Sequence, residues 1–247
     1  MDRLITDFEK EVKVTALSES AIAVHFGNEI DVEVHKKVKA FAAHLEKDPF
    51  KGLKEIVPAF TTVTVFYDPL SILPFSKGES PSSIVCATLK EIALNLKKAD
   101  EQKSRLIEIP VCYGGAYGPD LEYVAEYNRL TPDQVVDIHS SGEYLVYMIG
   151  FAPGFPYLGG MSEKIATPRK EQPRMEIPKG SVGIAGKQTG VYSISTPGGW
   201  QLIGKTPLDL FFKDQTPPSL LQSGDVIRFK PITEAEYNQY REDSKWL

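Results

Sequence analysis

The chain has 247 residues, 42% of them apolar and 25% charged, which excludes a disordered chain and allows a sizeable core in one large or two modest domains. Its net charge of −5 argues against a general nucleic-acid binder, whose footprint is an excess of Lys and Arg. Two cysteines, Cys86 and Cys112, make no disulfide framework, and the first residues carry neither a basic nor an apolar leader region. The expectation is therefore a cytoplasmic protein with reduced thiols. The most apolar run, 144–155, is interrupted by Pro153 and Gly154 and falls short of the ~18 residues a membrane span needs.

Residues 13–26 place Val14, Ala16, Ile22, Val24 and Phe26 mostly at period two, which predicts one or two half-buried strands. From Ile30 the apolar positions Val34, Val38, Phe41, Ala42 and Leu45 share one helical face, and Asp48-Pro49 ends that helix. Residues 60–67 are β-branched and alternating, so they read as a strand. A second helix starts at Ser80-Pro81, with Ser as cap and Pro at the first helical position. The charged stretch 97–104 lacks periodicity and reads as a linker, dividing the chain into domains 1–104 and 105–247.

Beyond it, residues 105–112 read as a strand, followed by a short helix near Pro119 and another at Thr131-Pro132-Asp133-Gln134. The latter is a capping box with Pro at the first helical position, and its helix ends near His139. Short strands are then expected at 144–149, 181–185, 191–194, 201–203, 208–212 and 225–229. Residues 105–247 hold 16 of the 19 glycines, and short strands punctuated by such turns predict a closed or nearly closed β-barrel. The expected fold is thus an α+β N-terminal domain followed by a mainly-β C-terminal barrel.

Gly and Pro crowd into residues 150–207, 18 of 58 positions, and three segments there carry candidate chemistry. In the first, Phe151, Pro153, Gly154, Phe155 and Tyr157 form either a rigid apolar pocket wall or a core-packing turn. In the second, residues 164–187 hold six basic side chains (Lys164, Arg169, Lys170, Arg174, Lys179 and Lys187) against Glu171 and Glu176. That local +4 suits a carboxylate or phosphate, which arginine grips with a planar fork; the alternative is a solvated loop. In the third, Gln188 and Thr196 are neutral hydrogen-bonding groups. Gly198-Gly199 permits close backbone approach, and Trp200 either floors a pocket or packs in the core. His139, the only histidine of this part, is the candidate general acid/base, or else a helix-end residue favoured by the dipole.

Several signatures are missing. There is no HExxH and no metal-ligand histidine spacing, so no metal site is expected. Lys187 is followed by Gln188 where a phosphate loop needs Ser or Thr, and no GxSxG elbow occurs.

The segments GFAPGFPYLGG, PKGSVGIAGKQTGVY and STPGGWQLIGKTPLDLF, with PAFTTVTVFYDP and PVCYGGAYGPDLEYVAEYNRLTPDQVVDIH before them, closely resemble the allophanate hydrolase subunit 1 or KipI-like family. The resemblance runs from about residue 12 to residue 231. It implies a cyclophilin-like C-terminal barrel. It also implies work within an ATP-dependent 5-oxoprolinase complex alongside two partners, one KipA-like and one LamB/YcsF-like. ATP, with Mg, would occupy a site shared with a partner, and the chain would be inactive alone. On that reading Arg169, Arg174 and Lys179 hold a carboxylate or phosphoryl group, His139 moves protons, and Gln188 orients the lactam. Phe155, Tyr157 and Trp200 shape the pocket. The family also contains an inhibitor of a sporulation sensor histidine kinase, which is the competing reading. The urea-breakdown activity in the family name lacks support, since neither a Ser-Ser-Lys amidase arrangement nor a biotin-attachment motif is present. Ser18-Glu19 stands where the family usually has Gly-Asp, so no role is carried over to that turn.

Overall fold

The computed structural model describes residues 12–76, 78–96 and 104–243, and the chain divides into two compact units, Met1–Lys103 and Ser104–Leu247. Residues 97–103 of the expected linker lie outside the described residues.

In the first unit, β1 (Lys13–Ser18), β2 (Ala21–His25), β3 (Leu53–Pro58) and β4 (Thr62–Tyr67) form an antiparallel sheet in the order β1-β2-β4-β3. The register pairs Ile22 with Val65 and Val24 with Val63, so these four point to one face. There they meet Val38, Phe41 and Leu45 of α1 (Val32–Lys47). Beyond the short α2 (Pro69–Ile72), α3 (Pro81–Asn95) adds Val85, Leu89 and Ala93 to the same core. Local chemistry sets the helix ends. Asp31 accepts from the Glu33 and Val34 N–H groups to cap α1, and Ser80 accepts from Ser83 N–H to cap α3. Strand β3 is not among the elements expected from sequence. It is an edge strand whose Lys54 and Glu55 face solvent, and those charges hide the alternation while guarding the edge.

In the second unit, seven strands run in the order β10-β9-β12-β5-β13-β6-β7. They are β5 (Leu106–Tyr113), β6 (Tyr144–Ile149), β7 (Pro156–Gly159), β9 (Ser181–Ala185), β10 (Gln188–Val191), β12 (Gln201–Lys205) and β13 (Val226–Pro231). Strands β7 and β10 come alongside each other, which nearly closes the sheet into a barrel. Its centre is a parallel pair, β5 with β13, in register from Leu106 opposite Val226 to Val111 opposite Pro231. Ile109, Val111, Val146, Val182, Ile184, Ile203, Ile227 and Phe229 fill the interior. Helices α4 (Leu121–Asn128) and α5 (Pro132–Ser141) cover it with Leu121, Val124 and Val135. The expected capping box at Thr131 and Gln134 is present. A ribbon of β8 (Arg174–Ile177) and β11 (Thr196–Gly198) stands apart from the barrel sheet, and α6 (Glu234–Asp243) closes the described chain.

Two expected strands are corrected. The strand expected at 191–194 lies earlier, as β10, because Thr189 and Gly190 are buried despite offering no apolar alternation. Residues 208–212 form no strand. Leu210 is buried, but the segment makes only an isolated bridge between Phe211 and Ser219.

Candidate functional site

The basic segment acquires acidic partners from elsewhere in the chain. Lys187 pairs with Glu163 at 2.6 Å, and Lys179 pairs with Asp209 at 2.9 Å. Lys170 and Arg174 converge on Asp120, at 3.3 and 2.8 Å. The local +4 is thereby largely compensated, leaving Lys164 and exposed Arg169 without an ion pair among the described residues. Lys179 is committed to Asp209, so the structure does not bring it to the Asp120 cluster.

Asp120 escaped the sequence reading because it looks like an ordinary helix cap after Pro119. It stands just before α4, yet its side chain makes no capping bond. Its backbone N–H instead donates to Leu202 O at 2.8 Å, and its Oδ2 accepts the Leu202 N–H at 2.7 Å. Gly118 permits this approach, because a Cβ there would lie 2.0 Å from Ile203 O. Burial alone would raise the Asp120 carboxyl. Hydrogen bonds from Arg174, the Leu202 amide and Lys170 outweigh burial and hold it below the usual carboxylate range. The detectable signal is an acid in a GxxGPD turn, within a chain whose basic loop carries six cations against only two local acids.

Around this cluster the loop is tied down. Lys170 N–H donates to Gly199 O at 2.7 Å, Gln201 Nε2 donates to Pro168 O at 2.9 Å, and Arg174 Nη1 reaches Trp200 O at 3.4 Å. Arg169 therefore projects from between two fixed backbone points. Beneath lies an aromatic cluster in which Phe155 packs edge-on against Tyr157, Tyr192 and Trp200 at centroid distances of 5.4–5.9 Å. Phe155 and Trp200 are buried, so they build a floor more than an open pocket. Gly190 lets those rings seat, with Trp200 only 3.1 Å from where its Cβ would be, and Gly198 similarly abuts the Tyr192 hydroxyl. Burial pushes that hydroxyl up to about 12, against the pull of Arg169 and Arg174.

The remaining expected residues sit around this floor. Phe151 is 69% exposed and adopts φ 67°, a conformation costly for a non-glycine residue; its ring meets Phe155 edge-on. Pro153 O accepts from Ser193 Oγ at 2.6 Å. Gly154, at φ 75°, fits tightly against Leu210 O. Gln188 and Thr196 are half-buried on β10 and β11.

His139 is elsewhere. It is wholly buried in the barrel interior, stacked on Phe229 at 4.4 Å, with Tyr113 hydroxyl 2.8 Å from Nδ1 and Thr189 Oγ1 2.8 Å from Nε2. Burial drives the imidazole down to about 3. Thr189 points inward to His139, whereas the next residue, Gly190, faces Trp200. The histidine and the aromatic floor of Trp200 and Phe155 thus occupy opposite faces of β10, as the alternation of a strand requires. A buried, doubly hydrogen-bonded imidazole in that place suits core architecture, and the residue expected as general acid/base lies away from the aromatic floor.

Comparisons with known proteins give the same chain a kinship. The carboxyltransferase domain family, subdomains C and D, matches residues 12–221. The 5-oxoprolinase B subunit of Bacillus subtilis is 53% identical over 94% of this chain and 98% of its own length. That of Haemophilus influenzae is 42% identical over 88% of this chain and 97% of its own. The solved structure of TTHA0988 is similar with TM-score 0.73 and 33% identity, over 86% of this chain but only 40% of that longer one. With one family spanning most of its length and two relatives above 40% identity over nearly theirs, the chain belongs to the carboxyltransferase domain family of subdomains C and D.

Proposed function

We propose that the chain is the B subunit of an ATP-dependent 5-oxoprolinase, a complex that converts 5-oxo-L-proline, ATP and water to L-glutamate, ADP and phosphate. The observation that carries this reading is the 53% identity to a 5-oxoprolinase B subunit, across 98% of that relative. The chemistry is compatible with the site. An unstrained lactam resists hydrolysis at neutral pH; phosphorylating its carbonyl oxygen activates it, and the charge that develops needs fixed positive groups.

That need falls to the nucleotide site, while in this chain Arg169, Arg174 and Lys170 supply positive charge over the Trp200 floor that holds the carboxylate of 5-oxoproline. Phe151 and Tyr157 wall the ring, while Gln188 and Thr196 offer neutral partners to the lactam. The chain has no phosphate loop of its own, so the nucleotide site is shared with a KipA-like partner, and a LamB/YcsF-like partner completes ring opening. The isolated chain is then inactive. Among the described residues no three His, Cys, Asp or Glu side chains converge on a metal position. A Mg ion would therefore arrive on the nucleotide phosphates. The same reading places the complex in the cytoplasm, in keeping with the free thiols of Cys86 and Cys112, and treats the near-closed barrel as cyclophilin-like.

Co-expression with both partner proteins should give 5-oxoproline-dependent glutamate release, with little from this chain alone. The double variant Arg169→Ala/Arg174→Ala should lose most of that release. Wild-type rates from that variant would remove both arginines from the site, and no release from the intact complex would overturn the reading.

A further inference from the structure

A buried carboxylate inside a proposed anion site is paradoxical, since Asp120 repels the ligand that its neighbours attract. Its geometry resolves the paradox. Oδ2 is anchored to the Leu202 amide on β12, which leaves Oδ1 in a fixed place facing the basic loop. Oδ1 takes one donor from Arg174 and one from Lys170. The two side chains remain 26% and 32% exposed, so each keeps further N–H donors toward solvent. Trp200 O, at 3.4 Å from Nη1, fixes the second end of the Arg174 plane. A guanidinium held along one side presents its remaining donors in one orientation, which is what bidentate recognition of a carboxylate requires. With exposed Arg169 alongside, the three cations keep a surplus of positive charge over Asp120.

We propose that Asp120 is the positioning residue of a carboxylate-binding site built from Arg169, Lys170 and Arg174. Resting on the 5-oxoprolinase reading, the carboxylate it serves is that of the 5-oxoproline ring. Charge and positioning predict opposite signs. Acting through charge alone, neutralised Asp120 would strengthen anion binding. Acting through position, its loss frees Arg174 and Lys170 to swing and weakens binding. A merely structural role lowers the folded fraction, and with it the apparent kcat, but not the KM of the molecules that remain folded.

In the assembled complex, Asp120→Asn is expected to raise the KM for 5-oxoproline roughly tenfold, the scale of one charge-assisted hydrogen bond. The KM for ATP is expected to stay unchanged and kcat to fall by less than KM rises. An unchanged or lowered 5-oxoproline KM overturns the proposal. A rise confined to the ATP KM also overturns it, by assigning the cations to phosphate. If Asp120→Asn does not yield folded protein, Arg174→Lys keeps the charge without the fork; the same KM rise is expected, and an unchanged KM overturns the proposal.

A wild-type complex without 5-oxoproline-dependent ATP hydrolysis defeats the functional reading separately. The positioning role is then read on the full-length chain by acetate titration, followed through arginine side-chain N–H resonances. Saturable shifts that weaken severalfold in Asp120→Asn support the role, and equal acetate affinity in the two proteins overturns it.

Discussion

His139 Nε2 and Thr189 Oγ1 meet at 2.8 Å in the barrel interior, and the direction of that bond sets the state of the imidazole. The single Thr189 hydroxyl proton is given to Gly183 O at 3.0 Å, so Thr189 accepts from His139. Nε2 therefore carries the proton, and Nδ1 accepts from the Tyr113 hydroxyl at 2.8 Å. Tyr113 suits that role, because burial raises its pKa well above the ordinary tyrosine value and keeps it a donor.

Stability should fall in mild acid. Burial holds His139 at about 3, against 6.5 for an ordinary histidine. Between those values the unfolded chain takes up a proton that the fold refuses. The contribution is complete above about pH 6.5 and is lost as pH falls, by about 1.4 kcal/mol per unit. His35 acts with the same sign in the first unit, held at about 4 mainly by burial and then by Lys39. Urea midpoints should be flat above neutrality and decline below about pH 6.5, with a shallower decline in His139→Gln. A midpoint indifferent to mild acid would contradict this account.

Thr189→Val tests the interior network without touching the cationic cluster. The variant is close in shape but leaves a buried N–H on His139 without an acceptor, a loss of about 1–3 kcal/mol. Chemical denaturation should show that loss, while the KM of the assembled complex for 5-oxoproline stays unchanged. A shift in KM would mean that the two faces of β10 are coupled.

Phe151 separates stability from activity. Glycine adopts its φ of 67° freely, and the ring gives up little burial at 69% exposure. Phe151→Gly should therefore leave stability unchanged or raise it by up to about 1 kcal/mol. Glutamate release by the complex should fall, since a strained, exposed aromatic in such a loop points to use and not to packing. Full activity in Phe151→Gly would exclude the ring from the site.

Gly118 and Gly115 give a matched pair. A Cβ at Gly118 would collide with the Ile203 carbonyl at 2.0 Å, whereas Gly115 has open space but φ 52°. Gly118→Ala should cost about 3 kcal/mol or more, because the 114–120 turn must leave β12. Gly115→Ala should cost about 1 kcal/mol, from backbone conformation alone. Thermal melts of the two variants read the difference directly.

The elements written in local chemistry were legible in the sequence. Ser80 and Thr131 mark helix starts by side-chain bonds to nearby amides, and alternation marks β2 and β4. What escaped depends on distant partners. Thr189 and Gly190 are buried by His139, Phe155 and Trp200, not by their own polarity, so β10 was displaced in the reading. The basic loop looked uncompensated because Asp120, Glu163 and Asp209 come from outside it. His139 looked available because sequence does not say which face of a neighbouring strand a side chain meets.

The pairing of β5 with β13 joins residues 106–111 to residues 226–231, and it sets a timetable for synthesis. No ribosome-bound chain that stops short of residue 226 contains the middle of the second sheet, whatever helices and hairpins it has already made. The second unit must therefore wait for the last of its described strands and then close in one cooperative step, with a long loop-closure cost. The first unit, whose four antiparallel strands and three α-helices among the described residues all lie between residues 13 and 95, faces no such delay. Nascent chains of increasing length should resist proteolysis in its region well before the barrel becomes protected.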